Sequence, residues 1–171
     1  WDRAPREVKA LMDIFREIFD VQAKELHKLG VRINTLGDLS RFDADIQKGV
    51  EEWKKTTSEN KTITVNIALN YGGRDEILRA VEKITQEVQS GKRQSSKLSE
   101  EEFAEYLDTA GMPEPELIIR PGGDQRMSGF LLWQSKHSEF YFTSVLMPDF
   151  GKEELEKAVQ EFNDRKRRFG K

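Results

Sequence analysis

The chain contains no cysteine and only two histidines. Without thiols, disulfides and thiolate metal sites are excluded, which fits a reducing compartment. No apolar run approaches the roughly 18 residues of a membrane-spanning helix. No signal-peptide pattern is visible at the start, and the expectation is a cytoplasmic protein. Neither sign of charge dominates: 28 Lys and Arg face 31 Asp and Glu, for a net charge of -3. That balance excludes a general nucleic-acid binder, so any anion site must be local. Internal repeats and low-complexity tracts are absent too. So is the imbalance of a disordered chain, and three Trp, ten Phe and three Tyr point to a packed globule.

What is there is a lean core under a charged surface, with 36% hydrophobic and 35% charged residues. The length of 171 residues predicts a single domain over residues 1–171. Val8, Leu11, Met12, Phe15, Ile18, Phe19 and Leu26 follow helical spacing and predict one long helix over Pro5–Leu29. Pro5 suits its first turn and Gly30 its stop. Val31–Leu36 alternates and reads as a strand. A helix capped by Asp43 runs to about Thr57, and Thr62–Leu69 is the clearest strand. After the turn Asn70–Gly73 comes a helix with Ile77, Leu78, Val81, Ile84 and Val88 on one face. Ser99 and Glu102 form a capping-box pattern. Leu117–Ile119 and Glu139–Thr143 predict two more strands, and a last helix runs from about Lys152 to Arg168. Strands alternating with helices predict an α/β fold, a mostly parallel twisted sheet flanked by helices.

Ligands of such sheets bind beyond the carboxyl ends of the strands. Two Gly-rich loops belong there, Tyr71-Gly-Gly-Arg74 and Arg120-Pro-Gly-Gly123. Arg120 directly follows the strand Leu117–Ile119. Gly122 and Gly123 allow an anion to approach main-chain N–H groups. Arg126 and Ser128 follow closely, so two guanidinium groups and a hydroxyl converge on one polyanion. Arginine suits bidentate phosphate contacts. The loop lacks G-x-x-x-x-G-K-[ST], so it is not a Walker-type nucleotide loop. An unrelated α/β nucleotide-binding module is the competing reading, and ordinary salt bridges are the bland one.

Arg120 to Phe130, with Leu131-Leu-Trp-Gln134, Ser138-Glu-Phe-Tyr-Phe142 and Met147-Pro-Asp-Phe150, resembles the cis-prenyltransferase family. Asn66 to Arg74, Val31 to Phe42 and the closing Arg167-Arg-Phe-Gly170 match as well, so the resemblance runs the length of the chain. It implies condensation of isopentenyl diphosphate with an allylic diphosphate such as farnesyl diphosphate, giving a polyprenyl diphosphate with cis geometry. It also implies a twisted, mostly parallel sheet around a hydrophobic tunnel, a homodimer, and a product delivered to a membrane. Arg120, Arg126 and Ser128 are then expected to hold the diphosphate of isopentenyl diphosphate, with Met127 contributing its backbone. Glu139 matches the position linked to magnesium, the expected cofactor. Trp1 and Arg3 match positions flanking the allylic substrate, with Arg3 facing its diphosphate. Arg168 and Gly170 match a closing Arg-x-Gly that reaches toward the partner's active site. Leu11, Phe15, Phe19 and Ile63 are candidates for the tunnel wall, with ordinary core as their alternative. Glu7 reads as helix-start charge.

The sequence also departs from the family pattern. Gln125 stands where many members carry His, so no metal ligand is assigned there, and neither His27 nor His137 is given a role. Pro121, Gly129 and Met147 replace Thr, Asn and Trp. Arg-Pro-Gly-Gly with Arg-Met-Ser resembles lavandulyl-type relatives, which couple two allylic units irregularly and supply the second reading. A non-catalytic partner subunit is a third, opposed by the presence of Arg120, Arg126, Ser128 and Glu139. The family's Asp-Gly-Asn phosphate loop is absent from these residues. The expectations are therefore a sequence that continues upstream of Trp1, an exposed apolar sheet edge, and no turnover by these residues alone.

Overall fold

The computed structural model describes residue 1 and residues 3–165, apart from the side chains of Phe19 and Asp20. Arg168 and Gly170 therefore lie outside the described residues. The chain forms two compact units, Trp1–Tyr71 and Gly72–Lys171.

In the first unit, α1 (Pro5–Glu17) and α2 (Ala23–Lys28) flank a π-helical turn, Ile18–Gln22. The single helix expected over Pro5–Leu29 is thus interrupted. A π turn adds one residue to a helical turn, and propensity carries no signal for it. Next come β1 (Val31–Leu36), α3 (Ala44–Thr56) and β2 (Ile63–Ala68). β1 and β2 pair in parallel, from Val31 opposite Ile63 to Leu36 opposite Ala68. The core gathers Met12, Phe42, Ile46, Val50 and Leu69, with Val8, Phe15 and Trp53 packed against it. Leu11, by contrast, is exposed. Buried Thr57 joins α3 to β1: its hydroxyl donates to Trp53 O at 2.7 Å and accepts from Ile33 N–H at 3.0 Å. Asp43 stands at the start of α3 but does not cap it. Its carboxylate accepts from Arg16 at 2.5 Å instead, since a charge-assisted bond outcompetes a helix N–H. Ile63 on β2 is 59% exposed, and β2 has β1 as its sole ladder partner among the described residues.

The second unit comprises α4 (Gly73–Gln89), α5 (Glu100–Ala104), β3 (Leu117–Arg120), β4 (Glu139–Phe142) and α6 (Lys152–Asp164). β3 and β4 are again parallel, from Leu117 opposite Glu139 to Arg120 opposite Phe142. The capping box forms as expected: Glu102 N–H donates to Ser99 Oγ at 3.1 Å, and Ser99 N–H to Glu102 Oε2 at 2.9 Å. The core is Ala80, Phe103 and Leu107, joined by Ile77, Ile84 and Trp133. The buried face of α4 therefore centres on Gly73, Glu76 and Ala80, while Leu78 and Val81 face outward. Ile77 and Ile84 pack inward as their spacing indicated, but a buried carboxylate and two small residues carry no hydrophobic signal, so the period misses the centre of this face. Among the described residues no helix is long and apolar enough to cross a membrane.

Candidate functional site

The strongest anion site lies in the second unit, where β3 ends. Arg120 is its last residue, and the loop that follows is shaped by unusual backbone angles. Gly122, Gly123 and Gly129 have φ of 97°, 84° and 82°, and Ser128 and Leu131 are left-handed at 50° and 47°. Non-glycine residues adopt that region at a cost of roughly 1–3 kcal/mol, and such strain gathers at ligand sites. Here it brings Ser128 Oγ within 2.9 Å of Arg120 Nη1, which donates to it. The same nitrogen donates to the carbonyl of Arg126, wrapping the loop around one guanidinium.

The two arginines meet at a carboxylate. Asp124 Oδ2 accepts from Arg120 Nη2 at 3.2 Å and from Arg126 Nη2 at 2.6 Å. Arg120 is mostly enclosed, whereas the Arg126 side chain is 66% exposed. The structure thus brings Arg120, Arg126 and Ser128 together, as their spacing suggested. Gly122 and Gly123 also hold the loop in place. Their N–H groups donate at 2.8 Å to Val145 O and Thr143 O, so they fasten the loop to the segment after β4. Met127 O accepts from Phe130 N–H at 3.0 Å and closes a turn inside the loop. The far side of the loop is held by α4, where Gly73 N–H donates to Gly129 O at 2.8 Å.

Glu139 begins β4, whose register sets it opposite Leu117. Arg120 lies three residues further along β3, about 10 Å at the rise of a parallel strand. Glu139 Oε2 accepts from Arg165 Nη1 at 2.9 Å. That ion pair and a stronger bond from Arg165 to Glu161 raise the Arg165 pKa. Among the described residues no group of three or more His, Cys, Asp or Glu could hold a metal. A lone carboxylate still fits magnesium, which retains waters and binds through one or two carboxylates plus phosphate oxygens. Gln125 and His137 are exposed on the surface.

The first unit holds Trp1 and Arg3. Trp1 Nε1 donates to Asn70 Oδ1 at 2.6 Å, and Asn70 Nδ2 donates to Asp38 O at 2.8 Å. The indole meets Phe42 edge-on at 5.3 Å, and the Arg41 guanidinium stacks 4.6 Å from its centroid. Arg3 lies beside Glu7 at 3.7 Å, both well exposed. Both Trp1 and Arg3 line a recess of about 610 Å³ with Val8, Lys9, Met12 and Arg16. Apolar Val8 and Met12 share the lining with Arg3, Lys9 and Arg16, and Asp43 adds one carboxylate. Arg16 is already committed to Asp45 and Asp43, whose bonds raise its pKa and lower that of Asp45. Of the tunnel-wall candidates, Phe15 packs against the core and meets Phe42 at 5.8 Å, while Leu11 and Ile63 are exposed. The Phe19 side chain lies outside the described ones.

Sequence reasoning assigned no role to Asp124, Arg41 or Asn70. All three lie inside motifs that carry the family resemblance, and the charge of Asp124 two residues before Arg126 was the available signal. Asn70 has a φ of 48°, and an Asn beside Gly-Gly reads simply as a turn.

Comparison with known proteins shows the family to which the chain belongs. The family model for undecaprenyl diphosphate synthase matches residues 1–170. The isoprenyl transferase of Clostridium perfringens is 44% identical over 170 residues, covering 99% of this chain and 67% of the relative. A ditrans,polycis-undecaprenyl-diphosphate synthase, (2E,6E)-farnesyl-diphosphate specific, from Yersinia pseudotuberculosis is 42% identical, covering 99% of this chain and 68% of the relative. Among solved structures, the lavandulyl diphosphate synthase of Lavandula x intermedia, in complex with dimethylallyl diphosphate, superposes with a TM-score of 0.94 at 34% identity. That match covers 99% of this chain and 74% of the other. A probable undecaprenyl diphosphate synthase from Campylobacter jejuni gives 0.84 at 32% identity, covering 100% and 78%. An unrelated nucleotide-binding module is thereby set aside, and the chain belongs to the undecaprenyl diphosphate synthase family of prenyltransferases.

Proposed function

We propose that this chain is a cis-prenyltransferase that condenses isopentenyl diphosphate with an allylic diphosphate, farnesyl diphosphate for example, to give a polyprenyl diphosphate. The observation that carries the reading is the convergence of Arg120, Arg126 and Ser128 at the end of β3. These side chains would hold the diphosphate of isopentenyl diphosphate, with Met127 offering backbone contact. Trp1 and Arg3 would flank the allylic substrate at the recess of the first unit. The π electrons of isopentenyl diphosphate form the new carbon–carbon bond as the allylic C–O bond breaks. The electron pair leaves with the diphosphate, and loss of a proton restores a double bond. Fixing two bound diphosphates in register supplies orientation, and arginines stabilise charge on the leaving group.

Magnesium is the proposed cofactor, and Glu139 is the residue that would hold it. When bound, it neutralises charge on diphosphate oxygens. The family match through both units supports reading residues 1–171 as one domain. A homodimer, with Arg168 and Gly170 reaching the partner's site, belongs to the same proposal, as do a cytoplasmic location and a membrane-bound destination for the product. These residues lack an Asp-Gly-Asn loop and by themselves are expected to give no turnover. The test is therefore binding. Calorimetry should show uptake of isopentenyl diphosphate but not of NAD. Arg120→Ala should cost about 1.5–3 kcal/mol of that binding, the worth of hydrogen bonds to a charged group. Equal affinity for NAD, or an unchanged Arg120→Ala variant, would sink the reading.

One observation favours irregular coupling as a second reading: the TM-score of 0.94 to lavandulyl diphosphate synthase, joined to this chain's Arg-Pro-Gly-Gly pattern, which resembles lavandulyl-type relatives. That reading requires the loop after β3 to take dimethylallyl diphosphate as tightly as isopentenyl diphosphate. A preference of tenfold or more for isopentenyl diphosphate excludes it.

A further inference from the structure

Asp124 is the one acidic side chain inside the arginine cluster, and its position is specific. A single oxygen, Oδ2, bridges the guanidinium groups of Arg120 and Arg126 at 3.2 and 2.6 Å. A terminal oxygen of a diphosphate would have to take those same two N–H donors. Without an anion between them, the two cations would repel each other. We propose that Asp124 is a positioning residue that occupies the diphosphate cradle as an internal, displaceable anion and yields its two arginines to the incoming diphosphate. This inference rests on the reading that Arg120, Arg126 and Ser128 hold a diphosphate.

The loop is built for a side chain to leave while the backbone stays. Gly122 and Gly123 are tied to Val145 O and Thr143 O, and Gly129 O is tied to Gly73 N–H. Asp124 lies between those anchors, free to change rotamer without moving them. Exposure sets which contacts give way. The Asp124 and Arg126 side chains are 45% and 66% exposed, so water can replace their bond at little cost. Arg120 is only 25% exposed and is also held by Ser128 Oγ and the Arg126 carbonyl, so it stays in place. The cradle therefore carries one net positive charge before substrate, from two arginines and one aspartate. Once Asp124 has swung aside, both guanidinium groups are open to the ligand while the carboxylate's charge stays nearby. Asp124 would weaken binding somewhat in exchange for a preformed site and for easier release of product.

The experiment is calorimetry of inorganic pyrophosphate, without added metal, on the wild-type chain and the Asp124→Asn, Asp124→Ala and Arg126→Ala variants across a series of NaCl concentrations. Removing the competitor should tighten binding about threefold to tenfold in both Asp124 variants, the scale of two exposed ion pairs. Their affinity should also fall more steeply with salt, because the site charge is larger. Loss of a brace alone weakens binding, so a gain in both variants separates a competing internal anion from a brace. Tight binding by Asp124→Asn where wild type binds weakly or not at all supports the proposal. Unchanged or weaker binding in both Asp124 variants, with Arg126→Ala still impaired, overturns it and leaves the diphosphate cradle standing. No binding by any of the four proteins overturns both.

Discussion

Arg120 shows how one residue can organise a loop. It closes β3, and one of its nitrogens serves Ser128 and the Arg126 carbonyl while the other serves Asp124. A lysine could not reach all three in one plane, which is why the fork geometry matters here. Glu76 plays the comparable part behind the loop. It is 1% exposed, and its carboxylate accepts from Asp108 N–H at 2.8 Å and from Gln134 Nε2 at 3.2 Å. Gln134 also donates to Thr109 Oγ1 at 2.9 Å, while its own Oε1 is buried without a partner among the described residues. The unpaired oxygen fixes the amide orientation as a compromise: turning it over would set Oε1 against the carboxylate. Glu76→Gln replaces an acceptor-only group with one that must point an NH2 at a donor. The expected loss is about 1–3 kcal/mol, the cost of a buried polar mismatch. Urea unfolding should show a lower midpoint with an unchanged slope.

At the scale of elements, local chemistry was legible wherever a short pattern sufficed. β1 spans Val31–Leu36 as its alternation indicated, and Ser99 with Glu102 starts α5. Glu102 is held below its ordinary 4.5 first by the Ser99 N–H and then by Arg93. A carboxyl depressed on folding contributes stability above its unfolded value and loses it as pH falls through the folded one. The destabilisation caused by Glu102→Gln should therefore be full at neutral pH, shrink as pH falls below 4.5 and vanish once it has passed the lowered folded-state value, as thermal melts across pH would show. What was not legible depends on partners far along the chain. The π turn, the outward Leu78 and Val81, and the engaged N–H groups of Gly122 and Gly123 all follow from packing that no local period records. Asp43 illustrates the same limit, since Arg16 from α1 takes the carboxylate that the pattern gave to a cap. Gly73 is the sharpest case. A Cβ there would lie 2.7 Å from Gly129 O and 2.9 Å from Leu132 Cγ. Gly73→Ala should thus push the loop after β3 away from α4. We expect a loss of about 1–3 kcal/mol in stability, as for overpacking, together with weaker pyrophosphate binding in calorimetry. A small helix-favouring residue that costs both would tie the helix start to the cradle.

For the whole molecule the telling contrast is between net charge and site charge. The chain carries -3 overall, yet the cradle gathers two arginines around one aspartate. A polyanion is therefore attracted only at short range, and its binding should be specific rather than diffuse. The pattern also separates the anion site from the rest of the surface, where charges such as Lys136 and Glu100 are paired at 2.8 Å. Such exposed pairs add little to stability, so the chain's resistance to heat should respond to what fills the cradle. A ligand that binds only the folded state at 100 times its dissociation constant adds about 2.7 kcal/mol. For a chain of this size each kcal/mol moves the melting temperature by roughly 2–4 °C. Inorganic pyrophosphate at that excess should raise Tm by about 5–10 °C, whereas NAD at the same concentration should leave it in place. Arg120→Ala should lose most of the shift, and Asp124→Asn should reach it at lower pyrophosphate. Differential scanning calorimetry at two salt concentrations would check all of these. A shift of equal size with sulfate would mean that the arginines respond to any anion and that diphosphate selectivity lies elsewhere.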